Sequence, residues 1–249
     1  MKQTLFLGGK VQLAQSDTGH RAGTDAVLRA ATVPASFSGL VVDAGSASGA
    51  AGLCVAARVK QARLRLIEID LSEADLARAN ILANGWQDRA NVVETDLLAP
   101  FKAREAMGLT GADADHVITN PPYLAAGKTR VSPDSDRQRA HTMPEGGLER
   151  WLLACHALLK PHGAFSLIHR ADALSEILAA LEGRFGGVSL LPIDPHEGAS
   201  ATRILVGAIK GSRAPLSLLA GLVLHEPDGS FTPRAEAIHR GEEGVYLSP

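Results

Sequence analysis

The stretch Leu40-Val41-Val42-Asp43-Ala44-Gly45-Ser46-Ala47-Ser48-Gly49 decides how the chain is read. Its apolar start suits a buried strand, and the small residues that follow suit a tight backbone turn. Ala50 to Val59 is Ala-rich and predicts a helix, so the unit opens an α/β pattern. Downstream the alternation repeats. Leu64 to Glu68 and Val92 to Glu94 predict strands, with a helix over Ser72 to Asn84 that Gly85 stops. His116 to Thr119 predicts a fourth strand that ends abruptly at Asn120-Pro121-Pro122-Tyr123. A helix over Leu148 to Leu159 closes in a Lys160-Pro161-His162-Gly163 turn. Ala164 to Ile168 predicts a fifth strand, and Ala173 to Leu181 a helix. Val188 to Pro192 and Thr202 to Ile209 predict two strands with no helix between them, hence one antiparallel strand at the end. The expected fold is α/β, a Rossmann-like, seven-stranded, mostly parallel sheet with helices on both faces.

Upstream, Leu5 to Leu13 alternates around Gly8-Gly9 and predicts a small hairpin, and Thr24 or Asp25 suits the start of a helix running to Ala31. One domain is expected over residues 1–249: an extension over 1–36 that covers the ligand, a core over 37–210 and an ordered extension over 211–249. Leu124 to Gly146 is polar and long, which marks a functional loop.

Composition narrows the classes. The 249 residues are 45% hydrophobic, enough for one substantial core. With 25 basic and 27 acidic side chains the net charge is −2, so the chain cannot grip nucleic acid over its whole surface and any such contact is local. Cys54 and Cys155 lie in apolar helical runs and read as buried thiols; no Cys/His spacing suits zinc, and no metal is expected. Trp86 and Trp151 read as core residues of helices. No run approaches the roughly 20 apolar residues that span a bilayer, and the N-terminus lacks a signal-peptide pattern. The expectation is a cytoplasmic protein without a membrane partner.

In an open sheet of this kind ligands sit beyond the carboxyl ends of the strands. Gly45 and Gly49 let a ligand approach the backbone after Asp43, although their spacing fails the three-glycine diphosphate pattern. Glu68 ends the next strand twenty-five residues after Asp43 and can accept ribose hydroxyls, with Asp70 beside it as an alternative. Asp96, at a third strand end, can accept from an adenine amine. Acids at successive tips repel phosphate and suit a sulfonium cation, so the expected cofactor is S-adenosyl-L-methionine.

Asn120-Pro121-Pro122-Tyr123 ends the fourth strand at the same edge. An exocyclic amine or amide nitrogen is a weak nucleophile because its lone pair is delocalised. The Asn120 side-chain oxygen and the rigidly held Pro121 carbonyl can accept its two N–H groups, aiming the lone pair at a methyl donor and stabilising the growing charge. Tyr123 offers a face for a flipped-out base, with Pro122 beside it. Lys128, Arg130, Arg137 and Arg139 can meet phosphates around that base, and His141 can orient it.

These residues resemble the small-domain N-methyltransferases, and among them the bacterial tRNA adenine-N6 methyltransferases that modify the base beside the anticodon of a valine tRNA. The likeness runs from Gly19 to Leu28 through the Asp43 to Gly49 turn, Glu68 with Asn80, Asp96 and Asn120 to Tyr123. It continues at Ala140-His141, Trp151, Lys160-Pro161, Leu222 to His225 and Asp228-Gly229. It implies a class I S-adenosylmethionine-dependent fold, a tRNA partner, and Arg21, Thr24 and Asp25 closing over the cofactor, with Asn120 touching both cofactor and acceptor. Two departures stand out: Ala47 and Ser46 occupy turn positions where glycine is usual, and His162 varies a Pro-Gly-Gly turn.

Other readings share parts of the pattern. Enzymes that methylate a glutamine amide use the same tetrapeptide but commonly carry a separate helical domain, whereas about forty residues precede the first strand here. Guanine-N2 enzymes more often have phenylalanine in place of Tyr123. A non-catalytic cofactor-binding partner protein and a nicotinamide oxidoreductase are the remaining alternatives.

Overall fold

The computed structural model describes residues 2–16, 22–109, 111–124, 142–143 and 146–247. Strands β1 (Lys2–Phe6) and β2 (Val11–Gln15) form the expected antiparallel hairpin. Then follow α1 (Thr24–Ala31), β3 (Gly39–Ala44), α2 (Ala50–Arg58), β4 (Ala62–Glu68), α3 (Leu71–Ala83), β5 (Ala90–Glu94), α4 (Phe101–Ala106) and β6 (Ala114–Thr119). Short strands β7 (Tyr123–Leu124) and β8 (Thr142–Met143) pair in parallel. The rest comprises α5 (Gly147–Leu158), β9 (Leu159–Arg170), α6 (Leu174–Leu181), β10 (Phe185–His196), β11 (Arg203–Lys210), β12 (Ser217–Leu218), β13 (Leu222–His225) and α7 (Pro233–His239).

The main sheet runs β10-β11-β9-β6-β3-β4-β5, with β11 antiparallel to both neighbours and the other pairs parallel. These seven strands make the expected Rossmann-like, mostly parallel sheet. Among the described residues the sheet has nine, however, because β12 and β13 pair in parallel with the outer edge of β10. An uncovered edge strand leaves a row of unpaired backbone groups, and the C-terminal segment covers this one. Strands of two and four residues are too short to carry a period of their own.

Successive residues of β3 face opposite sides of the sheet. Val41 joins a core with the hairpin, α1, α2, α3 and Ile238 of α7, while Leu40, Val42 and Ala44 join a second core with α5 and α6. Each fully buried leucine, such as Leu28, Leu53 or Leu152, contributes about 1.5–3 kcal/mol. Helix α4 was not legible beforehand: it is six residues long with none buried, so it has no apolar stripe.

Two local readings change. Lys160 to Gly163 forms an irregularity inside β9, where Ala114 pairs with Leu159 and His116 with Ala164, rather than a turn ahead of it. His162 takes φ 62° there, and Lys160 is held by Asp115 at 2.6 Å. Trp86 follows α3 instead of lying on a helix; it packs on the first core under the Arg89 guanidinium. Cys54 and Cys155 are buried free thiols, and burial pushes the Cys54 thiol up to about 12. Among the described residues no helix is long and apolar enough to cross a membrane, and no cluster of three His, Cys, Asp or Glu residues could hold a metal ion.

Candidate functional site

The turn after β3 hangs on its neighbour strand. The Gly45 and Ser46 N–H groups both donate to the Ile67 carbonyl at 3.0 Å, and Gly49 N–H donates back to the Ser46 carbonyl at 2.9 Å. Gly45, Ala47 and Gly49 have φ of 72°, 46° and 89°, a left-handed run that small residues tolerate best. A Cβ on Gly45 would stand 3.0 Å from the Trp151 ring, and one on Gly49 3.0 Å from Leu66. Gly52, on the first turn of α2, is tighter still: its Cβ would lie 2.3 Å from Leu66 Cδ2. Helix α2 therefore rests on β4 nearly backbone to side chain, and the turn is drawn close to the sheet.

Three acids follow at the next tips. Glu68 accepts from Ala47 N–H through Oε2 at 2.7 Å and from Ile69 and Asp70 N–H through Oε1 at 2.8 and 2.9 Å. Asp70 caps α3 by accepting from Ser72 and Glu73 N–H. Asp96 is exposed and accepts from Leu98 N–H at 2.8 Å. These groups share a cavity of about 550 Å³ with Asp25, Gly45, Ala47, Asn120, Pro121, Pro122 and Trp151. That volume falls in the usual range for a small-molecule site.

The opposite wall is built on β6. Thr119 donates its hydroxyl to the Ala44 carbonyl at 2.8 Å and accepts from Trp151 Nε1 at 2.9 Å. Asn120 follows, and its Oδ1 is buried without a hydrogen-bond partner. Buried amide oxygens are rarely left so, which marks an acceptor waiting for a donor. Pro121 is buried and Pro122 half-buried on the same wall, and the Tyr123 backbone pairs in β7 with Thr142.

Some expected contacts sit elsewhere. The sequence reading puts Asp43, Gly49 and Thr24 against the cofactor; the structure puts them behind or beside the cavity wall. Asp43 shares the Val41 face of β3, so it turns toward α1 and α2 rather than upward. It is fully buried, accepts from Gly52 N–H at 3.0 Å and lies 3.3 Å from the Arg29 guanidinium. Burial pushes its carboxyl above the usual range, against the pull of Arg29. Gly49 packs on Leu66 and Ala77, while the Thr24 hydroxyl meets His239 Nε2 at 3.2 Å on α7. Asp25 does line the cavity and is paired with Arg203 at 3.1 Å.

Arg29 and Trp151 line the cavity without having been singled out for it. Trp151 was legible only as a core residue, which it also is, at 9% exposure. Buried Asn80 donates to the Ser48 and Ala14 carbonyls and accepts from Ala14 N–H, stapling the hairpin to the turn. Arg21, Lys128, Arg130, Arg137, Arg139 and His141 lie outside the described residues.

Comparison with known proteins points to methyltransferases. Residues 16–136 match the family described as methyltransferase small domain. The chain is 31% identical over 219 residues to a tRNA1(Val) (adenine(37)-N6)-methyltransferase of Shewanella amazonensis, covering 87% of this chain and 89% of that protein. It is 29% identical over 218 residues to the protein of that name from Aeromonas hydrophila, covering 86% of each. A crystal structure of a predicted O-methyltransferase from Agrobacterium tumefaciens superposes with a TM-score of 0.76 at 34% identity, over 89% of this chain and 98% of that one.

Proposed function

The chain belongs to the methyltransferase small-domain family, and from that premise we propose that it methylates the exocyclic N6 amine of an adenine in tRNA, beside the anticodon. It is an S-adenosylmethionine-dependent methyltransferase. When bound, S-adenosylmethionine supplies a methyl carbon made electrophilic by the adjacent sulfonium.

The cavity fits that cofactor. Its rim carries the carboxylates of Asp25, Glu68, Asp70 and Asp96, which favour a cationic ligand and disfavour a diphosphate. Glu68 and Asp96 are assigned to the ribose and adenine end, and the bare backbone at Gly45 makes room for the Trp151 ring in the cavity wall. Asp25 belongs to the same site, and Arg21 and Thr24 to the segment that closes it. Asp43 and Gly49 support the turn from below.

The observation that carries the acceptor assignment is the unpartnered Oδ1 of Asn120 at the cavity wall. An amine hydrogen donated to it satisfies a buried acceptor and turns the nitrogen lone pair toward the donor methyl. Pro121, locked by its ring, holds a second carbonyl acceptor in place, so positive charge growing on nitrogen meets two oxygens. Stacking on the base is assigned to Tyr123, with Pro122 beside it in the chain. Lys128, Arg130, Arg137, Arg139 and His141 are assigned to the tRNA around it. The relatives' names supply adenine 37 of a valine tRNA as the specific target to test.

The test incubates the protein and labelled cofactor with bulk tRNA, ribosomal RNA and protein in parallel, then identifies methylated nucleosides by mass spectrometry. N6-methyladenosine in tRNA is expected. Label confined to protein, or a methylated hydroxyl as the Agrobacterium relative's name suggests for that protein, would overturn the assignment.

A further inference from the structure

Arg29 is 5% exposed on α1, yet it lines the cavity and its Nε and Nη1 have no hydrogen-bond partner. Among the described residues its one ion-pair contact, Nη2 to Asp43 Oδ1, is 3.3 Å long and single, and Asp43 Oδ1 is itself without a hydrogen bond. Asp43 balances the charge but leaves most of the guanidinium fork unused. A buried guanidinium in that state is costly unless something completes it. The other charged side chains lining the cavity, among the described residues, are Asp25, Glu68, Asp70, Glu73 and Asp96. Among the described residues Arg29 is therefore the one cationic side chain lining an otherwise acidic cavity.

S-adenosylmethionine carries two cationic groups and one carboxylate. The acidic wall answers the cations; among the described residues lining the cavity, Arg29 answers the carboxylate. Asp25 lies four residues earlier on α1 and lines the same cavity, so one helix face presents an acid and a base to the amino-acid end of the ligand. We propose that Arg29 binds the carboxylate of the cofactor's methionine moiety, with Asp43 as the positioning residue that holds the guanidinium toward the cavity. This rests on S-adenosylmethionine being the cofactor. The planar fork suits a carboxylate, which supplies acceptors for the donors that Asp43 leaves open.

Calorimetry with the full chain tests it using S-adenosylhomocysteine and 5′-methylthioadenosine, which shares the adenosine and thioether but lacks the amino-acid end. The unaltered protein should bind S-adenosylhomocysteine about tenfold to a hundredfold more tightly, as charge-assisted hydrogen bonds allow. R29K keeps the charge and loses the fork, so it should weaken S-adenosylhomocysteine several-fold and leave 5′-methylthioadenosine within about twofold. R29M/D43N removes the pair without stranding a buried carboxylate and should likewise weaken S-adenosylhomocysteine while sparing 5′-methylthioadenosine, narrowing the gap between the two to what the amine contributes. Decarboxylated S-adenosylhomocysteine, which keeps the amine and lacks only the carboxylate, gives the same reading with no variant and should bind the unaltered protein several-fold more weakly than S-adenosylhomocysteine. Equal losses for both ligands, no loss for either, or full affinity for the decarboxylated compound would overturn the role of Arg29. Failure of the unaltered protein to bind either adenosine compound would instead overturn the cofactor assignment beneath it.

Discussion

The Trp151 indole N–H donates to the Thr119 hydroxyl at 2.9 Å, and this one contact joins the two halves of the site. Thr119 ends β6 just before Asn120 and also holds the Ala44 carbonyl, while the Trp151 ring lies 3.0 Å from where a Gly45 Cβ would be. Thr119→Val keeps the shape and strands both the indole N–H and the carbonyl in a buried place. Each stranded group costs about 1–3 kcal/mol, so urea unfolding should show a loss in that range. Thr119→Ser should restore most of it. Because small displacements near reacting atoms are costly, kcat should fall about tenfold in Thr119→Val with KM for the cofactor changing less.

Asn120→Ala deletes the orphaned acceptor. Single-turnover methyl transfer should drop about 10²–10³-fold, the usual cost of losing one preorganised group at a developing charge. Stability should not fall, because the lost oxygen had no partner in the folded protein. Unimpaired transfer in a purified assay would remove Asn120 from the chemistry.

Ala47 takes φ 46° in the cavity turn, with its N–H held by Glu68 at 2.7 Å. A left-handed alanine costs about 1–2 kcal/mol, and glycine gives back about 0.4–1 kcal/mol through unfolded-state entropy. Ala47→Gly should therefore gain slightly, raising the melting temperature by about 2 °C. Ala47→Val should lower it, since a branched Cβ fits this backbone worse. Differential scanning calorimetry on the three proteins checks the order.

His116 is buried in β6 with Nε2 2.8 Å from the Ser166 hydroxyl, and burial pushes its imidazole down to about 4. An unfolded histidine titrates near 6.5, so the unfolded chain takes the proton first as pH falls. The stability tied to the neutral ring is complete above about 6.5 and is lost toward pH 4, with a slope approaching 1.4 kcal/mol per pH unit. Urea midpoints at pH 7, 6 and 5 should fall more steeply for the unaltered protein than for His116→Asn. Parallel curves would contradict the charge-free burial.

The linear order of strands and helices was written in local chemistry: apolar runs of strand length, small-residue turns, and stops such as Gly85. Asn120-Pro121-Pro122-Tyr123 declared its chemistry in the same way, because its residue types and its place after a strand suffice to state what it can accept. Glu68 and Asp96 were legible for the same reason, since each ends a strand and a strand end has a known side of the sheet. Gly52 was not, because nothing nearby in sequence says that Leu66 lies 2.3 Å from where its Cβ would be.

What a side chain faces across space is a different matter. Arg29 reads in sequence as one more helical arginine and Asp43 as a strand-tip acid; packing α1 against β3 buries both and makes them partners. The edge of β10 is covered by β12 and β13 because an unpaired ladder needs hydrogen bonds, not because those short segments favour strand by themselves. Periodicity and residue type acted through neighbours in the chain and so determined the elements, their order and the acceptor motif. Burial, ion pairing and close backbone approach depend on groups far apart in sequence, and only the folded sheet decided which acids meet the cavity and which arginine stands among them.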